Sequence, residues 1–225
     1  AGHWFGTDDY GRDIFTRVLY GGRVSLLVGF ASMLLSMAIG VTVGVVSGYF
    51  GGWIDSLLMR ALEIMLSIPS FLVILLLSVL LKPNLGSIVI IIGSLMWMHM
   101  ARIVRAETLA LREREYVLYA RASGQGSVGI IFRHILPGLV PVIVVGATNN
   151  VASSIMMESS LSFLGFGVQP PNATWGSMLN GAQGTLTQAP YMAIFPGALI
   201  LLTVLSFNML GDLLRVALEP KLGRR

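Results

Sequence analysis

The sequence contains no cysteine and only two lysines among its 225 residues. Without cysteine the chain can form neither a disulfide nor a thiolate metal site. Charged residues make up 12% of the chain, whereas an ordinary soluble domain carries about 25%. Because so few charges cannot cover a surface that faces water on all sides, we infer that part of the chain lies in lipid.

Sequence motifs for catalysis are also missing. A phosphate loop needs the pattern GxxxxGK[ST], but neither Lys82 nor Lys221 follows a glycine or precedes a serine or threonine. The chain contains no HExxH pattern of zinc proteases and no GxSxG pattern of serine hydrolases. We therefore expect that the chain is not an enzyme and that it binds no metal and no cofactor.

Long apolar stretches make up most of the chain, which is 55% hydrophobic with a mean hydropathy of +0.78. A membrane helix needs roughly 20 apolar residues. Five stretches meet this requirement: residues 24–54, 64–81, 83–101, 135–157 and 191–211. The sequence thus predicts an all-α, polytopic membrane helix bundle that forms a single domain, 1–225, with five spans.

The distribution of arginine predicts which ends of the spans face the cytoplasm. The segment 102–133 holds six arginines against three glutamates, whereas the segment 159–190 holds no charged residue. Because positive charge in short loops marks the cytoplasmic side, we place 102–134 and the C-terminus inside, and 1–23 and 159–190 outside. An N-terminus outside the cell predicts a sixth span upstream of Ala1. The net charge of +4 does not indicate nucleic-acid binding, because the arginines cluster in short loops.

Three glycines recur at steps of four in the first predicted span, at Gly40, Gly44 and Gly48. Small residues at this spacing form a flat stripe that lets two helices approach closely in lipid. We therefore predict a helix-packing role for this stripe.

The segment 118–137 has the spacing of a known cytoplasmic motif. Permeases of ATP-binding-cassette (ABC) importers carry the pattern Glu-Ala-Ala, three residues, Gly, nine residues, then Ile-x-Leu-Pro. Here Ala120, Gly124 and Leu136-Pro137 match it, whereas the glutamate, the first alanine and the isoleucine differ. The sequences FGTDDYGRDIFTRVLYGG, EYVLYARASG, SFLGFGVQPPNATWGSML and GDLLRVALEPKLG are similar to the peptide and nickel branch of that family. Nearly the whole chain thus resembles a permease of the dipeptide, oligopeptide and nickel importers.

This resemblance implies a type I ABC importer permease fold that provides half of a translocation pathway in the bacterial inner membrane. It also implies a second homologous permease, two ATPase subunits that bind ATP and Mg, and an external substrate-binding protein. The residues implied to couple the chain to the ATPase are Glu115, Tyr119, Ala120, Arg121, Ala122, Ser123 and Gly124. The small Ala120 and Ala122 would allow close approach and Gly124 a sharp turn, although the charges there also fit a merely solvated face.

Polar residues within membrane spans are costly and are often functional. Asn149, Asn150 and Glu158 in the fourth span are therefore candidate pathway residues, and hydrogen bonding between helices is the alternative. An ion-coupled secondary transporter is a second possible function, but such proteins place ionisable groups near the midplane, and the spans here lack them. The cargo stays open between dipeptides, oligopeptides, glutathione and nickel chelates.

Overall fold

The computed structural model describes residues 3–81 and 84–218, and all helices and turns below belong to those ranges. Apart from one isolated β-bridge between Thr7 and Asp13, the regular structure described there is helical. The helices are α1 (Ile14–Phe50), α2 (Gly52–Leu66), α3 (Ser70–Leu80), α4 (Leu85–Arg112), α5 (Glu115–Ala122), α6 (Ser127–Ile130), α7 (Leu136–Phe163), α8 (Trp175–Ala182) and α9 (Tyr191–Leu218). A π-helical turn, Ile131–Ile135, joins α6 to α7, and a 3₁₀ turn, Gln183–Thr185, follows α8.

Four helical segments are long and apolar enough to cross a membrane: α1, α4, the continuous stretch Ser127–Phe163, and α9. Helices α2 and α3 form a fifth span if the bent pair crosses as one, with a bend of 76° between them. Pro69 lies in the bend, where its ring and its missing N–H end a helix. The all-α bundle predicted from the sequence is confirmed.

Helix α1 begins ten residues before the predicted start at residue 24. Asp13 caps its N-terminus by accepting a hydrogen bond from the backbone N–H of Thr16 at 2.8 Å. The predicted span 24–54 is defined by a window without charged residues, whereas the helix itself begins earlier and includes Arg17 and Arg23. The predicted outer segment 1–23 is therefore largely helical from Ile14 onward.

Helix α1 lies along α4, and the glycine stripe is the contact surface between them. A β-carbon on Gly40 would be 2.9 Å from the Trp97 carbonyl oxygen, and one on Gly48 would be 2.8 Å from the Arg105 carbonyl oxygen. The packing role predicted for these glycines is thus confirmed. Helix α7 packs against α1, α4 and α9 and completes the interior.

The remaining faces of α3 and α9 present large apolar side chains outward. These include Leu72, Leu76, Val79 and Leu80 on α3, and Leu201, Leu202, Leu205 and Met209 on α9. Such faces suit lipid or another apolar helix, since water would penalise them. Residues 219–225, which include most of the positive charge predicted to hold the tail in the cytoplasm, lie outside the described residues, as do Lys82 and Pro83.

The segment 159–190, which the sequence predicts to be an outer loop, contains regular helical structure. Helix α7 continues to Phe163, and α8 forms behind a capping box between Thr174 and Ser177. The indole of Trp175 is only 5% exposed, and its Nε1–H donates to the Val18 carbonyl oxygen at 3.0 Å. Trp175 therefore packs inside the chain and does not anchor it at the membrane surface, although an aromatic residue in an outer loop often does.

Candidate functional site

The segment between α4 and α7 forms an elbow at the end of the bundle where the arginines cluster. Helix α5 ends in a Schellman motif: the Gln125 N–H donates to the Ala120 carbonyl oxygen and the Gly124 N–H to the Arg121 carbonyl oxygen, both at 3.1 Å. Gly124 has φ of +80°, a conformation that residues with a β-carbon rarely adopt. The sharp turn predicted at Gly124 is present.

Helix α5 has one buried face and one exposed face. Val117 and Ala120 belong to a core cluster that also contains Ile130, Ile135 and Leu139. The predicted coupling residues on the other face are exposed: Glu115, Tyr119, Arg121, Ala122 and Ser123, together with Gly124. Tyr119 stands out because 76% of it is accessible.

Ala120 differs from the other predicted coupling residues because its own chain covers it. It is 8% exposed, and a larger side chain would press into the cluster beneath α5. Ala120 therefore has a packing role within the chain, and its role in the close approach of a partner stays a prediction. Of the two small residues, Ala120 and Ala122, only Ala122 is exposed.

A surface groove of about 760 Å³ runs beside the exposed face of α5. Its lining residues are Glu115, Tyr116, Tyr119, Ala120, Ser123, Gln125 and His134. The His134 ring contacts the Gln125 side chain at 3.0 Å and so links the π-helical turn to the loop after Gly124. The groove offers aromatic surface from Tyr116 and Tyr119, and tyrosine is enriched at protein-docking surfaces.

Two arginines in and beside the elbow contact the C-terminal end of α1. Arg112, the last residue of α4, donates from Nη1 to the carbonyl oxygens of Gly48 at 3.3 Å and Tyr49 at 3.2 Å. The Arg121 guanidinium lies 5.7 Å from the centre of the Tyr49 ring, within the range of a cation–π contact. Through Arg121, α5 thus contacts the last turn of α1 directly.

An ion pair joins α2 to α4 at the same end. Arg105 donates from Nε to Asp55 Oδ1 at 2.5 Å and from Nη2 to Asp55 Oδ2 at 2.6 Å, and the Ser47 hydroxyl also donates to Asp55. Sequence reasoning missed this pair. The available signal was an isolated acidic residue, Asp55, directly after the first predicted apolar stretch.

The three candidate pathway residues do not converge on one cavity in the described part of the chain. Asn150 donates to Ser36 Oγ at 3.0 Å, so it joins α7 to α1. Glu158 is fully buried and accepts hydrogen bonds from Ser25 at 3.2 Å and Ser162 at 2.6 Å. Only Asn149 is exposed. For Asn150 and Glu158 the structure fits the helix-to-helix alternative, and the pathway role of all three stays a prediction.

Residues 40–224 match the family model described as the binding-protein-dependent transport system inner membrane component. The chain belongs to this family. It is 46% identical to the oligopeptide transport system permease protein OppC of Escherichia coli K12 and to the glutathione transport system permease protein GsiD of Shigella flexneri. Each alignment covers 98% of this chain and 73% of the relative.

The fold is also similar to that of a solved ABC importer. An inward-facing structure of the MetNI methionine ABC transporter matches with a TM-score of 0.73 at 20% identity, over 90% of this chain and 96% of that one. The family member described here is a permease subunit of an ABC importer, a multi-pass protein of the bacterial inner membrane. Family membership sets aside the ion-coupled alternative.

Proposed function

We propose that this chain forms half of a translocation pathway for peptides, driven by ATPase subunits that dock on the elbow around α5. The observation that carries the proposal is the 46% identity to OppC and GsiD over almost the whole chain. The cargoes named for those two relatives, oligopeptides and glutathione, are both built from amino acids joined by amide bonds. A peptide is therefore the cargo class that fits both relatives.

The partners follow from what one chain lacks. The sequence contains no phosphate loop, and the family resemblance implies two separate ATPase subunits that bind ATP and Mg. A second homologous permease supplies the other half of the pathway. An external binding protein delivers the cargo, which agrees with the family description of a binding-protein-dependent system. The arginine excess of 102–133 favours a cytoplasmic elbow and a cytoplasmic C-terminus.

The docking surface that we propose is the exposed face of α5, namely Glu115, Tyr119, Arg121, Ala122 and Ser123, with Gly124 holding the turn behind it. Val117 and Ala120 support this face from beneath. Movement imposed on α5 passes to α1 through Arg121, which lies over the ring of Tyr49, while Arg112 at the end of α4 holds the Tyr49 backbone. Rigid transmission of this kind needs packed contacts with discrete arrangements.

Co-purification with the ATPase tests the docking surface. In mild detergent the wild-type chain should bring down an ATPase that contains a phosphate loop, and Tyr119→Ala should lower its recovery about ten-fold, since exposed tyrosines are frequent binding hot spots. Tyr10→Ala is the matched control, because Tyr10 is 80% exposed but lies at the opposite, outer end. Equal recovery with Tyr119→Ala and wild type would count against docking on α5.

Uptake by reconstituted vesicles tests the cargo. The full transporter, supplied with its binding protein and with ATP on the elbow side, should accumulate labelled di- and tripeptides and should stop when ATP is replaced by a non-hydrolysable analogue. Nickel-chelate uptake without any peptide uptake would overturn the assignment of peptides while leaving the permease function intact.

A further inference from the structure

A second groove, of about 500 Å³, lies at the outer end of α1. Basic and aromatic side chains, among them Arg17, Tyr20 and Arg23, line its upper part. Apolar side chains from α1 and α4 line the lower part: Val24, Leu27 and Leu85. The groove therefore changes from cationic to apolar along the direction of α1.

The charge of this groove is positive and incompletely neutralised. Arg12 and Arg17, which both line it, share a single carboxylate, that of Asp8. Arg23 is exposed and has no ion-pair partner within residues 3–81 and 84–218. No acidic residue is among the lining side chains described for the groove.

The position of Arg23 along α1 places it at the level of lipid headgroups. The inner membrane boundary lies near Gly48, because Asp55, Arg105 and Arg112 gather around that turn. The hydrocarbon layer spans roughly 20 helical residues, so its outer boundary falls near Val28. Arg23 then lies roughly 6 Å beyond Leu27 along the helix axis, among the headgroups.

We propose that this groove binds an anionic phospholipid of the phosphatidylglycerol type, with its phosphate on Arg23 and an acyl chain along Val24, Leu27 and Leu85. A guanidinium group binds phosphate oxygens through paired hydrogen bonds, and tyrosine is enriched at this depth of a bilayer. The surplus positive charge favours a headgroup with net negative charge over a zwitterionic one. Binding here would fasten the outer end of α1 to its annular lipid.

Native mass spectrometry of the transporter, purified with its partner subunits, tests this proposal. Phosphatidylglycerol and phosphatidylcholine with identical acyl chains are titrated separately into wild type, Arg23→Gln, Arg23→Lys and Arg60→Gln. Arg60 is the matched control, since it is exposed, lies on α2, and has no ion-pair partner in the described ranges.

We expect Arg23→Gln to weaken the tightest phosphatidylglycerol binding about five-fold, the effect of one basic residue near an anionic surface. Arg23→Lys should lose less affinity than Arg23→Gln, because lysine keeps the charge but not the paired hydrogen bonds. Arg60→Gln should stay close to wild type, and phosphatidylcholine should bind all four proteins equally weakly. Unchanged phosphatidylglycerol affinity in Arg23→Gln, or an equal loss in Arg60→Gln, would overturn the proposal. Displacement of the lipid by excess inorganic phosphate would also overturn it, because the groove would then be a general anion site.

Discussion

Gly44 of α1 lies so close to Ala101 of α4 that a β-carbon on Gly44 would be 2.7 Å from the Ala101 carbonyl oxygen. Gly40 and Gly48 have the same relationship with Trp97 and Arg105, one turn away on either side. Because both helices advance by four residues at each contact, they stay in register along the whole stripe. The two helices lie so close that arginines of α4 contact α1 and α2 at the end of the bundle that carries the elbow.

Gly44→Ala should therefore destabilise the bundle. The added methyl group meets a backbone oxygen, which cannot rotate away, so we expect a loss of about 1–3 kcal/mol in the free energy of unfolding. Unfolding by detergent titration in mixed micelles measures this loss. Gly181→Ala in α8 is the control, since no atom lies within 4 Å of a β-carbon there. Equal losses in the two variants would contradict the packing argument.

The sequence predicted this part of the fold well because the relevant physics is local. The absence of charge identifies the spans, and glycines at steps of four identify a close contact. The sequence could not say which helix the stripe faces, since that depends on how α4 folds back over α1. Nor could it find the true start of α1, because the cap at Asp13 lies in a polar segment that apolar windows do not include.

Breaking the ion pair between Asp55 and Arg105 should loosen the inner end of the bundle. The pair is bidentate and partly buried, and a lone charge left there is costly, so Asp55→Asn should lower stability by about 1–3 kcal/mol. A double-mutant cycle with Arg105→Gln measures the coupling directly. Arg102→Gln serves as the control, because its guanidinium contacts only His99 on the same helix among its described contacts. A coupling energy near zero would show that the two side chains act independently.

Gly124 and Gly126 offer a matched pair of tests within the elbow. Gly124 has φ of +80° and Gly126 has φ of −67°, and a β-carbon added at either residue would have no atom within 4 Å. Gly124→Ala should cost about 1–2 kcal/mol for the left-handed backbone, whereas Gly126→Ala should cost much less. Faster amide hydrogen exchange at Gln125, and slower ATP-driven uptake, should appear in the first variant alone. If Gln125 exchanges at the same rate in both variants, backbone strain at Gly124 does not explain a loss of stability or of uptake.

Protonation of Asp13 at low pH should destabilise the N-terminal turn of α1. The hydrogen bonds from the Thr16 side chain and backbone hold the pKa of Asp13 below its ordinary value of 3.8. A carboxyl with a lowered pKa stabilises the folded state fully above 3.8, and that contribution is lost as the pH falls through the folded pKa. Amide exchange at Thr16, corrected for its intrinsic pH dependence, should therefore stay constant above about pH 4, the ordinary pKa of an aspartate, and should lose protection as the pH falls below it. Asp13→Asn should remove this dependence, because it keeps a capping oxygen without a titrating charge.

Sequence motifs identified the elbow, but they did not show which of its residues pack inside the chain and which are exposed. The spacing of Gly124 and Pro137 carried the resemblance, yet Ala120 is buried while its neighbours Tyr119 and Arg121 are exposed. Only the angular position of each residue on α5 separates these roles, and that position depends on which face packs on Ile130 and Ile135. The hydrogen bonds of Arg105 and Arg112 join residues that are 50 or more positions apart in the sequence, and a motif cannot reveal such contacts.

We expect the hydrogen bonds of Ser25 to hold α8 against the rest of the bundle. Its hydroxyl donates to Glu158 at 3.2 Å and accepts from the Trp175 backbone N–H at 3.2 Å, so Ser25→Ala leaves two buried polar groups each one partner short. Such a loss costs about 1–3 kcal/mol, and amide exchange within α8 should rise about ten-fold. Ser160→Ala is the control, because that hydroxyl donates only to the Met156 carbonyl oxygen in its own helix among its described contacts. If α8 exchanges at the wild-type rate in Ser25→Ala, the bond from the Trp175 indole to Val18 must anchor the helix instead, and Trp175→Phe should then produce the faster exchange.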